Sequence, residues 1–113
     1  CLEVLITDNN TQLFKGTLEG CILGILSRGE SYGYEIILKL QEYGFEDIKE
    51  GTLYPLLLRL EKKGLLTAVF KPSPLGPKRK YYTLTSEGTQ ELLAFQHQWE
   101  QLQHSVNQIL KEV

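Results

Sequence analysis

The spacing of apolar residues changes twice along the chain, and that change limits the folds open to it. In "EGTLYPLLLRLEKKGLL" (Glu50 to Leu66) the leucines at 53, 56, 57 and 60 fall at helical spacing. Beyond Gly64 the period drops to two: Leu66, Ala68 and Phe70 alternate with Thr67, Val69 and Lys71, and "RKYYTL" (Arg79 to Leu84) is rich in aromatic and β-branched residues. From Leu92 the spacing returns to threes and fours. Helices, then two neighbouring strands, then a helix again is the order the pattern demands.

Each helix carries its own punctuation. Gly16, Gly20 and Gly24 recur every four residues in the first, leaving one side nearly bare, so that another helix can approach it closely. The blander reading is three glycines tolerated at roughly 1 kcal/mol each. This helix is expected to end near Arg28 and Gly29. Ser31 is expected to cap the second helix, with Ile36, Ile37 and Leu40 facing inward and Gly44 after its end. Tyr32 and Tyr34 at its start either fill core edges, the commoner fate, or reach a phosphate.

Thr52 is expected to cap the third helix, which puts Pro55 at the third helical position, where its missing N–H costs no bond. Leu53, Leu56, Leu57 and Leu60 then cluster within about 100° of each other. The opposite face holds Pro55, Leu58, Arg59 and Lys62, flanked by Tyr54. That mixture is too adhesive for an idle surface. Between the two strands, "PSPLGP" (72 to 77) is expected to form a protruding connection that continues neither of them, with Lys71 on one side and Lys78, Arg79 and Lys80 on the other.

The last helix is expected from Thr85 or Ser86 to about Leu110. Leu92, Phe95, Trp99, Leu102, Val106, Ile109 and Val113 follow each other at alternating steps of three and four, an unbroken a/d seam. About 25 residues of helix reach roughly 38 Å, more than a small domain needs to cover itself. The seam is therefore expected to pair with a second subunit. His97 and His104 fall on the outer f position of the same heptads.

Composition narrows the classes. A chain of 113 residues holds one core plus appendages, and at 42% hydrophobic and 23% charged it has the make-up of an ordinary soluble protein. No apolar run approaches the roughly 20 residues of a membrane helix, and no secretory signal opens the chain. The chain has no Met, so it is not expected to begin at its own initiator; residues 1–14 are read as an N-terminal extension, disordered or foreign to the natural protein. Cys1 and Cys21 have no CxxC spacing, and Cys21 lies within an apolar helical pattern; a reducing, cytoplasmic setting is expected, with no metal site and no cofactor. The net charge of −2 hides a division: residues 1–50 carry −5, residues 51–82 carry +6, and residues 83–113 carry −3. Local field, not total charge, governs attraction to phosphates.

Three short helices, a basic hairpin and a long heptad helix describe a mainly α winged helix-turn-helix protein: residues 15–85 as the DNA-binding domain and 86–113 as a dimerisation helix. In such a fold the third helix enters the major groove and the hairpin, or wing, lies on the flanking backbone. "YGYEI" (Tyr32 to Ile36), "GTLYPLLLRLEKKGLL" (Gly51 to Leu66), "KRKYYTLTSEG" (Lys78 to Gly88) and the helix bearing Trp99 resemble the PadR family of bacterial transcriptional regulators over residues 15 to 113. Phe70 departs from the tryptophan many relatives carry there.

The resemblance implies a homodimer that binds a pseudo-palindromic operator on double-stranded DNA and represses until a small-molecule signal releases it, the fourth helix packing across the dimer with the first. On the residues this means DNA contact by Tyr34, Thr52, Tyr54, Pro55, Leu58, Arg59, Lys62, Lys78, Arg79 and Lys80. It means dimerisation through Gly20, Gly24, Leu92, Phe95, Trp99, Leu102, Val106 and Ile109. Trp99 also suits a small aromatic effector, although a seam tryptophan is more often interface core. The alternative is a winged-helix protein-interaction module without DNA binding. The sequence holds no nucleophile–base pair, phosphate-cradling glycine loop or carboxylate cluster, so no enzyme is expected.

Overall fold

The structure, a computed structural model, describes residues 12–111. Its elements are α1 (Gln12–Leu26), β1 (Ser31–Tyr32), α2 (Gly33–Glu42), α3 (Glu50–Lys62), β2 (Leu66–Ser73), β3 (Gly76–Leu84) and α4 (Ser86–Leu110). Helix α1 takes in residues 12–14 of the stretch read as an extension; residues 1–11, Cys1 among them, and the last seam residue, Val113, lie outside the described residues.

The core forms where the helical faces and the inner side of the sheet converge: Leu18, Ile22, Ile36, Leu40, Leu53, Leu57 and Leu60 are essentially sealed, joined by Leu66 and Tyr82 from the strands. Leu53, Leu57 and Leu60 of the expected α3 cluster are buried, and Leu56 packs partly against them. Helices α2 and α3 end alike. Gly44 N–H donates to the Gln41 carbonyl and Phe45 N–H to that of Leu40; Gly64 N–H donates to Glu61 and Leu65 N–H to Leu60, each at 2.9–3.1 Å. This doubled bonding answers the orphan carbonyls of the last turn and requires positive φ at the glycine, +113° at Gly44 and +79° at Gly64.

Several boundaries differ from expectation. Helix α1 stops at Leu26, before Arg28 and Gly29. Ser31 caps nothing; it is buried in β1, a third strand that joins the edge of β3 through Ser31↔Tyr82 and Tyr32↔Tyr81. Tyr32 is the cap residue of α2, and its N–H donates to the Glu35 carboxylate three residues on, at 3.4 Å. Two residues are too few to show a period, so the pattern could not reveal β1.

Nor does Thr52 cap α3. Lys49, with φ −130° and ψ 172°, is the cap, and Pro55 sits inside the helix. The bond Pro55 forgoes is the one to Gly51, an exposed residue. The "PSPLGP" stretch is mostly strand: Pro72 belongs to β2 and Pro77 to β3, and only Pro74 and Leu75 turn between them, with a register shift between Lys71 and Ser73. Proline is tolerated at edges and bulges, where a ladder bond is already missing.

Helix α4 leaves the body from the end of α3. The Thr85 hydroxyl donates to the Gly64 carbonyl at 2.6 Å and accepts from Gly88 N–H at 3.0 Å, while Thr85 N–H donates to Leu65 O at 3.1 Å. Gly88 is buried so close beneath that a β-carbon on it would overlap the Leu65 carbonyl oxygen. A backbone atom cannot rotate away. Gly88→Ala should therefore destabilise the protein by about 1–3 kcal/mol, even after roughly 1 kcal/mol gained in helix propensity, and thermal melting should show a lower Tm. An unchanged or raised Tm would mean that α4 is not locked to this turn.

Candidate nucleic-acid interface

Because the leucines of α3 face the core, Tyr54, Pro55, Leu58, Arg59 and Lys62 are left exposed on its other side. Pro55, Leu58, Arg59, Lys62 and Lys63 line one shallow depression. The chemistry is that of a groove-reading surface, with apolar groups suited to thymine methyls and cations suited to phosphates or base edges. Tyr54 is only half free. Its ring lies against Gly33, where a β-carbon would come within 2.5 Å of it, and burial first, then the Glu50 carboxylate, pushes its hydroxyl pKa up. The glycine of "YGYE" is thus the seat of the tyrosine of "GTLYP", a pairing distant in sequence. Tyr34 is exposed on the first turn of α2; Thr52 is half-buried in the first turn of α3.

The wing places Lys71 opposite Arg79 and Phe70 opposite Lys80. Arg79 lies over the Tyr32 ring, 4.4 Å from its centroid, and Lys78 is exposed near the tip. Lys80 donates to the Glu61 carboxylate at 2.9 Å, which holds its ammonium above the usual lysine range. Lys71 pairs with Glu30, and Arg59 Nε lies 3.4 Å from Glu19 Oε2. No carboxylate partners Lys62, Lys63 or Lys78 among the described residues.

Sequence reasoning named the α3 and wing cations but missed what surrounds them. Lys71, expected at the base of the wing, lies there opposite Arg79, and Lys63, which was not singled out, lines the same depression as Arg59 and Lys62, as its place in the +6 segment could have signalled. Glu19 and Glu30 left no such signal, being far away in sequence.

The glycine side of α1 receives α4 of the same chain. The ring of Phe95 occupies the space a β-carbon on Gly20 would need, and Leu92 Cδ1 would lie 3.9 Å from one on Gly24; Gly16 meets nothing within 4 Å. Leu92 and Phe95, expected at a dimer interface, are thus half-buried within the subunit. Further along the seam Trp99, Leu102, Val106 and Ile109 are exposed by 38%, 55%, 42% and 67%. Both histidines lie exposed on the outer face. Beside Gly20, burial pushes the Cys21 thiol pKa up. Among the described residues no helix is long and apolar enough to cross a membrane, and no cluster of three or more metal-ligating side chains occurs.

The model of the transcriptional regulator PadR-like family matches residues 22–94, from α1 through the wing into α4. The chain belongs to the PadR-like family. Its fold is that of a crystal structure of a PadR-like transcriptional regulator from Bacillus cereus strain ATCC 14579, 48% identical, with TM-score 0.81 over 88% of this chain and 97% of that one. A Streptococcus transcriptional regulator is 46% identical, with TM-score 0.80 over 88% and 98%. Among curated proteins, the negative transcriptional regulator PadR of Bacillus subtilis (strain 168) is 38% identical over 86 residues, 73% of this chain but 44% of that protein. PadR-like regulators bind DNA.

Proposed function

We propose that this PadR-like protein is a cytoplasmic, homodimeric repressor that binds a pseudo-palindromic operator and is released by a small-molecule signal. Residues 15–85 read the DNA and residues 86–113 hold the dimer together. The observation that carries the reading is the exposed α3 face of Pro55, Leu58, Arg59 and Lys62 beside a cationic wing. Repression is supported by the relative in Bacillus subtilis that is a negative regulator. The exposed seam from Trp99 to Ile109 supports dimerisation, with Trp99 as the flat surface on which an aromatic effector stacks.

Sequencing genomic fragments retained by the immobilised protein tests this. Enriched sites should hold two half-sites about 34–36 Å apart or a multiple of that. With 3–4 phosphates contacted per subunit, the log–log salt dependence of binding should have a slope of roughly −5 to −7. If no fragment is preferred over random duplex at moderate salt, the regulatory reading fails and the fold serves protein interaction instead.

A further inference from the structure

Among the cations of the α3 and wing surface, three are held by carboxylates brought from three elements: Arg59 by Glu19 of α1, Lys71 by Glu30 from the turn before β1, and Lys80 by Glu61 of α3. Counting Glu19 and Glu30 with the segment that carries +6 lowers its local charge to +4. None of the pairs is deeply buried; the cationic side chains remain 61%, 46% and 32% exposed. Exposed pairs of this kind are weak and open readily. The Arg59 pair opens least readily of the three, because Glu19 Oε2 is shielded from solvent and accepts no hydrogen bond, which leaves the Arg59 guanidinium to answer its charge.

We propose that Glu19, Glu30 and Glu61 are specificity determinants of DNA binding, each occupying a cation in the place of a phosphate until a duplex offering further contacts displaces it. The inference rests on the DNA-binding reading above. Sequence-independent binding consists almost wholly of phosphate contacts, so competition by internal carboxylates weakens it most. An operator complex adds contacts to base edges and thymine methyls, most of them from groups other than the three paired cations, so those carboxylates oppose them least. The acids therefore widen the gap between operator and random DNA while touching neither. They are positioning residues, acting through Arg59, Lys71 and Lys80.

The test compares the full chain with E19Q/E30Q/E61Q, and with a charge-retaining variant carrying Asp at the same positions. Binding is followed by fluorescence anisotropy on the most enriched genomic duplex and on a scrambled duplex of the same composition, across a salt series. The Gln variant should bind the scrambled duplex on the order of a hundredfold more tightly at low salt, the six freed pairs of the dimer each contributing roughly two- to threefold. Its affinity for the enriched duplex should rise less, and its salt slope on the scrambled duplex should steepen by about 1–3 per subunit. The Asp variant should keep the wild-type ratio between duplexes. Scrambled-duplex affinity within twofold of wild type, an equal rise on both duplexes, or an Asp variant behaving like the Gln variant would overturn the proposal. A wild-type protein with no preference between the duplexes would instead overturn the DNA-binding reading itself.

Discussion

Replacing Lys78, Arg79 and Lys80 together by alanine is expected to weaken binding to every duplex, by on the order of a hundredfold at low salt, and to flatten the salt slope of the dimer by about 2–5. The three contribute unequally. Lys78 has no carboxylate partner among the described residues, Arg79 is held over the Tyr32 ring, and Lys80 must leave Glu61. The range below the full count of six cations per dimer reflects those prior engagements. Substituting Leu58 or Arg59 on α3 should act differently, narrowing the difference between operator and random sites by about 1–3 kcal/mol per lost base contact. Anisotropy titrations on two duplexes over a salt series separate these outcomes. Equal losses for both sets on every sequence would show that α3 does not read bases.

Introducing glutamate at Leu102 and Ile109 is expected to convert the protein to monomers in light scattering and to abolish operator binding at concentrations where the native chain binds. Both side chains are more than half exposed on the part of α4 that extends past its own body. Fully burying a side chain of this size contributes about 1.5–3 kcal/mol, and with 55% of Leu102 and 67% of Ile109 left to bury, the four in a dimer contribute on the order of 4–7 kcal/mol. The charges would also be desolvated at the seam, so a shift of at least about 5 kcal/mol, more than a thousandfold in dimer Kd, is expected. Glutamate at His104, on the outer face, should leave the mass unchanged. A native mass for the seam variant would mean that the exposed stripe is not where subunits meet.

Much of this was legible because it depends on period. The leucine stripe of α3, the alternation at the start of β2, the aromatic and β-branched run of β3, and the bounds of α4 all follow from spacing, composition and end signals, which act within a few residues. Where strong local signals competed, the sequence misled. Pro55 suggested a later start for α3 than Lys49 provides, and the prolines of the wing suggested a loop where paired strand runs to Ser73 and resumes at Gly76. In both cases neighbouring backbone supplied enough pairing to tolerate a missing N–H.

By itself, then, the amino-acid order determined the elements other than β1, the faces that the first three helices bury, the concentration of positive charge in one segment and the membership in a DNA-binding family. Tertiary structure alone decided which partners those charges find. It returned Glu19 and Glu30 to the basic surface, seated Tyr54 on Gly33, and took Leu92 and Phe95 out of the exposed seam by laying them on the glycines of α1. The reason is physical: hydrophobic period is set by neighbours three and four residues away, whereas a charge or an aromatic ring responds to whatever lies within a few ångströms, however distant along the chain.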